Sequence, residues 1–207
     1  MKYSIQLASL FFFLLLIGCS DRQEKLLTEV EVRPAGGGLY YSFEGEPYTG
    51  VLLDKKGAFL FRKMNVKKGY LSGPSMTYFF DGSISTIKEY KKGILHGSSK
   101  KYRTKDFLLE DFNFVNGKKE GEQLIYYPSG AISKKLFFRN GNLSGKNQLF
   151  YLDGQLRQEF YFNDKGRKDS VWRKYHKNGK VKDEIIYRDG EVIRPNFQFD
   201  QQGTRIN

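Results

Sequence analysis

Glycine recurs in this chain with a period of 24 residues. Gly45, Gly69, Gly93, Gly117 and Gly141 are evenly spaced, Gly166 follows after 25 residues and Gly190 after a further 24. A second glycine lies four residues after the anchor at Gly73, Gly97, Gly121 and Gly145; Ser170 takes that place after Gly166, and Gly50 sits one position late. A third follows nine residues later at Gly82, Gly130, Gly154 and Gly179, with Asp106 substituting once. Two glycines four apart, as in "NGNLSGKNQLFYLDG" (residues 140–154), also suit a phosphate-binding loop. Such a loop occurs once, between a strand and a helix, whereas this pattern repeats with no helical stretch between copies. The glycines therefore read as turns, where positive φ costs a residue without Cβ little.

Between the turns the side chains alternate in the manner of strands. Two positions after the third glycine come Ile84, Leu108, Ile132, Leu156 and Val181. Six further on come Tyr90, Phe114, Phe138, Phe162 and Tyr187, and two before those Lys88, Phe112, Leu136, Phe160 and Ile185. Even offsets along a strand predict one shared face for all three columns. The partner strand supplies Tyr78, Tyr102, Tyr126, Phe150 and Tyr175. Stacked hairpins would align these residues into ladders, each ring burying roughly 150–250 Å². The expectation is an all-β fold: an elongated, twisted, antiparallel β-meander of stacked hairpins. Composition agrees, with 16% aromatic residues, 22 Gly and only 5 Pro in 207 residues.

The ends depart from the repeat. Residues 1–18 carry Lys2 and an apolar run from Leu7 to Ile17, short for a bilayer span and shaped like a secretory signal. "LIGC" (Leu16 to Cys19) resembles the lipobox of bacterial lipoproteins. That resemblance implies cleavage before Cys19, lipidation of Cys19 and an envelope location outside the cytoplasm. A plain signal peptide or a tail anchor is the other reading. As the only Cys, Cys19 leaves the fold without an internal disulfide. Residues 19–38 read as a tether with a capping strand over Glu24 to Arg33, followed by a flexible "PAGGG" break (Pro34 to Gly38). Residues 39–207 read as about six to seven repeats, the last truncated.

The phrase "NGxxxGxxxxYYxxGxIxxxxxYxxG" resembles the bacterial variant of the MORN repeat, as in proteins labelled YwqK-type antitoxins. The register is good from Gly69 to Gly190 and weaker from Tyr40 to Gly69. The resemblance implies one hairpin per repeat and a binding or scaffolding surface without catalysis. The antitoxin label implies neutralising a toxin by binding it. Asp106 and Ser170, standing where the family has turn glycines, predict looser or different turns there.

Little in the chain reads as catalytic. His96 and His176 read as exposed turn residues, and no Cys/His cluster has zinc spacing. Glu89, Glu110, Glu159 and Glu184 recur near equivalent strand positions, where a glycosidase pair is the sharp reading and a solvated face the plain one. No metal or cofactor is expected. Net charge is +12, and nucleic acid is not the expected partner outside the cytoplasm. A protein partner is expected, with anionic lipid or an envelope glycan as alternatives. The pairs Lys67-Lys68, Lys91-Lys92, Lys100-Lys101, Lys118-Lys119 and Lys134-Lys135 would line one long edge, as solubilising charge or as a basic stripe. Tyr78, Tyr102, Tyr126, Trp172 and Tyr175 are the candidate binding surface. The eight glycines Gly69, Gly73, Gly93, Gly97, Gly117, Gly121, Gly141 and Gly145 are the candidate structural turns.

Overall fold

A computed structural model describes residues 23–36 and 38–206. The signal segment and Cys19 lie outside the described residues. Nineteen strands belong to one sheet among the described residues. An N-terminal group comprises β1 (Glu24–Leu26), β2 (Glu31–Ala35), β3 (Gly38–Phe43) and β4 (Glu46–Pro47). The meander then runs through β5 (Gly50–Lys56), β6 (Phe59–Lys67), β7 (Tyr70–Tyr78), β8 (Ile84–Lys91), β9 (Ile94–Thr104) and β10 (Phe107–Val115). It continues through β11 (Lys118–Lys119), β12 (Gly121–Tyr126), β13 (Ile132–Arg139), β14 (Asn142–Leu143) and β15 (Gly145–Phe150). β16 (Leu156–Phe162), β17 (Lys168–Tyr175), β18 (Val181–Arg188) and β19 (Glu191–Gln198) complete it. From β6 onward each strand pairs antiparallel with the one before it, except that β12 joins β11 on β10 and β15 joins β14 on β13.

Two kinds of turn alternate along the two edges. On one edge Lys68-Gly69, Lys92-Gly93, Asn116-Gly117, Asn140-Gly141 and Asp189-Gly190 all have positive φ at both residues. Two left-handed residues in succession make the tight hairpin turn whose twist matches that of its strands. Each of these turns also bonds to the preceding repeat: Gly93 N–H to Leu71, Gly117 to Leu95, Gly141 to Lys119 and Gly190 to Lys168, at 2.8–2.9 Å. On the other edge Gly82, Gly130, Gly154, Gly179 and Gly203 close four-residue loops. In each loop the glycine N–H bonds back three residues, to Phe79, Tyr127, Tyr151, His176 and Asp200. Gly166 belongs to this second kind although it lies on the first edge: its N–H bonds to Asn163. The extra residue of that repeat lengthens the turn, which explains the spacing of 25.

The second glycines are not turns. Gly73 and Gly97 lie inside β7 and β9, and Gly121 and Gly145 open β12 and β15 after a one-residue break. All four have positive φ, and the neighbouring register slips at Met64/Val66 and Lys88/Tyr90. They mark bulges, where an unpaired residue needs a left-handed conformation. Ser170 holds the same conformation at φ +58, so it preserves the local path of the chain. Asp106 lies in a tight two-residue connection between Thr104 and Phe107, without positive φ.

The expected capping strand over residues 24–33 is three elements: β1, a 3-10 turn at Leu27–Glu29, and β2. β1 is the parallel exception in the sheet, pairing Glu24 with Val51. Within the stretch read as a flexible break, Pro34 and Ala35 pair with Leu39 and Gly38 between β2 and β3. This N-terminal group covers one face of the first repeat. Val30, Tyr41 and Tyr48, with Leu27 and Phe43 beside them, close over Leu52, Met64, Val66 and Leu71. Leu52 is 0% and Met64 1% exposed there, which makes this the one apolar cluster of fully buried side chains among the described residues. Tyr40 packs edge-on against Tyr70 and lies directly on Gly69, where an added Cβ would meet its ring at 2.3 Å.

Candidate functional site

Pairing registers sort the side chains of the repeats into two faces. The predicted cross-strand pairs are present: Tyr78 faces Ile84, Tyr102 faces Leu108, Tyr126 faces Ile132, Phe150 faces Leu156 and Tyr175 faces Val181. The next register in each repeat skips one residue, as between Tyr78–Ile84 and Thr77–Thr86. Thr77 Oγ1 lies 2.7 Å from both Ser85 and Thr86 hydroxyls, so two successive residues point to the same side. That bulge reverses the alternation. The Ile84 column and the Tyr90 column therefore stand on opposite faces, against the expectation from even spacing.

One face carries Tyr78, Tyr102, Tyr126, Phe150 and Tyr175 and is knitted by ion pairs. Lys146 Nζ lies 2.8 Å from Glu159, Arg173 Nε 2.7 Å from Glu184, Lys100 3.5 Å from Asp111 and Lys135 3.6 Å from Glu122. Glu159 also accepts the Tyr175 hydroxyl at 3.3 Å. The hydrogen bond from Lys146 to Glu159 raises the Lys146 pKa, and the one from Arg173 to Glu184 raises that of Arg173. Burial raises the phenols of Tyr126 and Tyr175. Arg173 pairs in register with Glu159 on one side and Glu184 on the other. Of the four recurring carboxylates, Glu159 and Glu184 are thus engaged in cross-strand ion pairs. Glu110 stands on the opposite face, opposite Lys101, and Glu89 accepts the Ser98 N–H at 3.2 Å.

The other face is aromatic. Tyr90, Phe114, Phe138, Phe162 and Tyr187 each stand opposite a bulge residue: Gly73, Gly97, Gly121, Gly145 and Ser170 respectively. Phe112, Leu136, Phe160 and Ile185 share this face. Trp172 packs against Phe160, Phe162 and Tyr187 with ring centroids 5.1–5.4 Å apart. Lys119 Nζ sits over the Phe112 and Phe138 rings at 4.2 and 5.1 Å, and Lys168 over Trp172 and Tyr187 at 4.8 and 5.0 Å. Phe112 and Phe114, Leu136 and Phe138, Phe160 and Phe162, and Ile185 and Tyr187 are the repeat-equivalents of Met64 and Val66. The N-terminal group covers that first pair, and the later ones are only half-buried. The five candidate surface residues therefore divide: Trp172 belongs to the aromatic face, and Tyr78, Tyr102, Tyr126 and Tyr175 to the charged one.

Beneath the rings, side-chain amides complete the backbone ladder. Gln123 and Asn147 are both 0% exposed. Gln123 accepts the Asn113 N–H at 3.0 Å and donates to the Glu120 carbonyl at 2.9 Å. Asn147 accepts the Phe137 N–H at 2.9 Å and donates to Gly145 at 3.0 Å. Trp172 takes the equivalent place and donates its indole N–H to Tyr161 at 2.9 Å. These amides were not singled out in the sequence, where a polar residue in mid-strand reads as solvated.

Both histidines are half-buried linkers rather than exposed residues, His96 within β9 and His176 opening a four-residue loop. His176 Nε2 donates to the Phe199 carbonyl at 2.9 Å, as the Tyr127 and Tyr151 hydroxyls donate to Phe150 and Tyr175. His96 Nδ1 accepts the Asn116 N–H at 3.4 Å, a role Glu120 fills for Asn140. Among the described residues no group of three His, Cys, Asp or Glu is placed to hold a metal ion.

The sequence profile of the MORN repeat variant matches residues 119–140, 143–164 and 168–189. Residues 119–189 are MORN repeat variants. Each match spans one strand pair and the four-residue loop between its strands, so the family unit and the structural unit coincide. The segments before Lys119 follow the same registers. MORN repeats form a module often involved in binding and are generally non-catalytic. No curated protein matches the chain.

Proposed function

We propose that this MORN-repeat protein is a non-catalytic, lipid-anchored binding module of the bacterial cell envelope. It is held at a membrane through Cys19 and uses its aromatic face to engage a protein partner. One observation carries the choice of face. The chain covers the first copy of the Met64/Val66 surface with its own N-terminal group, and the later copies, enriched in Phe, have no cover among the described residues. The opposite face has its charges satisfied across strands, which lowers what a partner gains by displacing them. Clustered aromatic rings with a Trp are the side chains that dominate protein interfaces. The lipid anchor is supported by "LIGC" at residues 16–19.

A photoreactive phenylalanine analogue placed singly at Phe114, Phe138 and Phe162, or at Tyr102, Tyr126 and Phe150, tests this in intact cells. A discrete adduct of one mass is expected from the first set only. Adducts from the second set alone, or none from either, would sink the assignment.

A further inference from the structure

The charged face repeats one chemical unit along its length. Tyr78, Tyr102, Tyr126, Phe150 and Tyr175 stand on β7, β9, β12, β15 and β17, one half-buried ring per strand pair. Four of these rings have an ion pair beside them: Lys100 with Asp111, Lys135 with Glu122, Lys146 with Glu159 and Arg173 with Glu184. Lys100 and Arg173 lie two residues before Tyr102 and Tyr175, a separation that keeps side chains on one face. Lys135 is opposite Leu124, two before Tyr126, and Glu159 is opposite Gln148, two before Phe150. The N-terminal group folds over the opposite face, at Leu52, Met64 and Val66, and leaves this row open.

Two properties of the row limit what it can hold. Its charges are paired, so an ionic ligand gains little by displacing them. Each pair nevertheless presents a hydrogen-bond donor and an acceptor side by side. An acetamido group carries the reciprocal set, a carbonyl that accepts and an N–H that donates. The rings, in turn, suit the apolar C–H face of a β-linked pyranose. They recur every two strand spacings, about 10 Å, which is also the length of two sugars in an extended β-1,4-linked chain. Alternate sugars of such a chain turn opposite ways, so every second one presents the same face to the sheet. Rotation about the glycosidic bonds lets the chain follow the twist of the strands.

We propose that the row from Tyr78 to Tyr175 binds an extended, uncharged β-1,4-linked N-acetylhexosamine strand, one disaccharide per repeat. Each ring packs on one sugar, and the ion pair beside it holds an acetamido group. The site lies on the face opposite the aromatic one and does not depend on the protein partner proposed there.

The pairing partners of the described strands lie within residues 23–206, so the chain from residue 19 onward, as Cys19→Ser, retains the fold. Calorimetric titration with chitohexaose should show binding that salt leaves unchanged. Chitobiose, which reaches one ring, and maltohexaose, an α-linked chain that coils, should each bind about tenfold more weakly or worse. Tyr102→Ala/Tyr126→Ala should weaken chitohexaose binding about tenfold, and Tyr102→Phe/Tyr126→Phe, which keeps both rings, less than about twofold. If the alanine pair fails to fold, the comparison of the three sugars on the parent chain decides alone. Equal affinity for chitobiose or maltohexaose, a steep fall with salt, unchanged affinity in a folded alanine pair, or no binding of chitohexaose would overturn the proposal. Failure of the photoreactive test on the aromatic face leaves the sugar result standing.

Discussion

At the scale of single residues, the sheet depends on side chains that mend its own interruptions. The bulges at Gly121 and Gly145 open the backbone ladder, and Gln123 and Asn147 fill the gaps with amides of matching donors and acceptors. Asn147→Leu would leave the Phe137 N–H and the Gly145 carbonyl buried without partners. A loss of about 2–3 kcal/mol is expected in urea unfolding. Ser170→Gly should do the opposite, since φ +58 is costly for a residue with a Cβ; a gain of about 0.5–1 kcal/mol is expected. Sequence periodicity located Ser170 and the second glycines correctly along the chain but read them as turns where they are bulges, while the anchor and third glycines are turns as read. A left-handed residue serves a turn or a bulge equally, and only the pairing on either side tells which. The buried amides were illegible for a related reason: what makes them structural is a gap in the neighbouring strand.

At the scale of elements, hairpins, columns and their cross-strand partners were legible, because alternation and the glycine period act locally. The division of the columns between faces was not. One bulged residue per strand pair turns an even offset into an odd one, and the Ser85–Thr86 signature carries no special residue type. Adjacent hairpins are further joined by the Tyr127 and Tyr151 hydroxyls and by His176. Tyr151→Phe removes one such link and should cost about 1 kcal/mol in the same unfolding measurement. The lengthened turn at residues 163–167 uses side chains instead. The Asn163 amide, and then the Arg167 guanidinium, hold the Asp189 carboxyl below the usual carboxylate range. A depressed folded pKa adds stability above the unfolded value, near 3.9, which is lost as pH falls through the folded one. Asp189→Asn, a residue already accepted at the equivalent Asn116 and Asn140, should flatten the fall in melting temperature below about pH 4.

At the scale of the whole molecule, a single layer of strand pairs has nearest-neighbour contacts only, so its stability is distributed unevenly. The N-terminal group gives the first repeat a buried cluster that no later repeat has among the described residues. Amide exchange should therefore be slowest in β5 and β6 and fastest in β18 and β19. The same geometry gives the protein two chemically distinct faces and two distinct edges, and the functional reading depends on that separation. Pulsed electron–electron distances from a spin label at Asp81 to labels at Ser129, Asp153 and Lys177, successive loops of one edge, test it most directly. The account predicts a separation that grows by about 10 Å with each repeat, two strand spacings at a time. Distances that level off after the first step would show the strand pairs folded back on one another and contradict it.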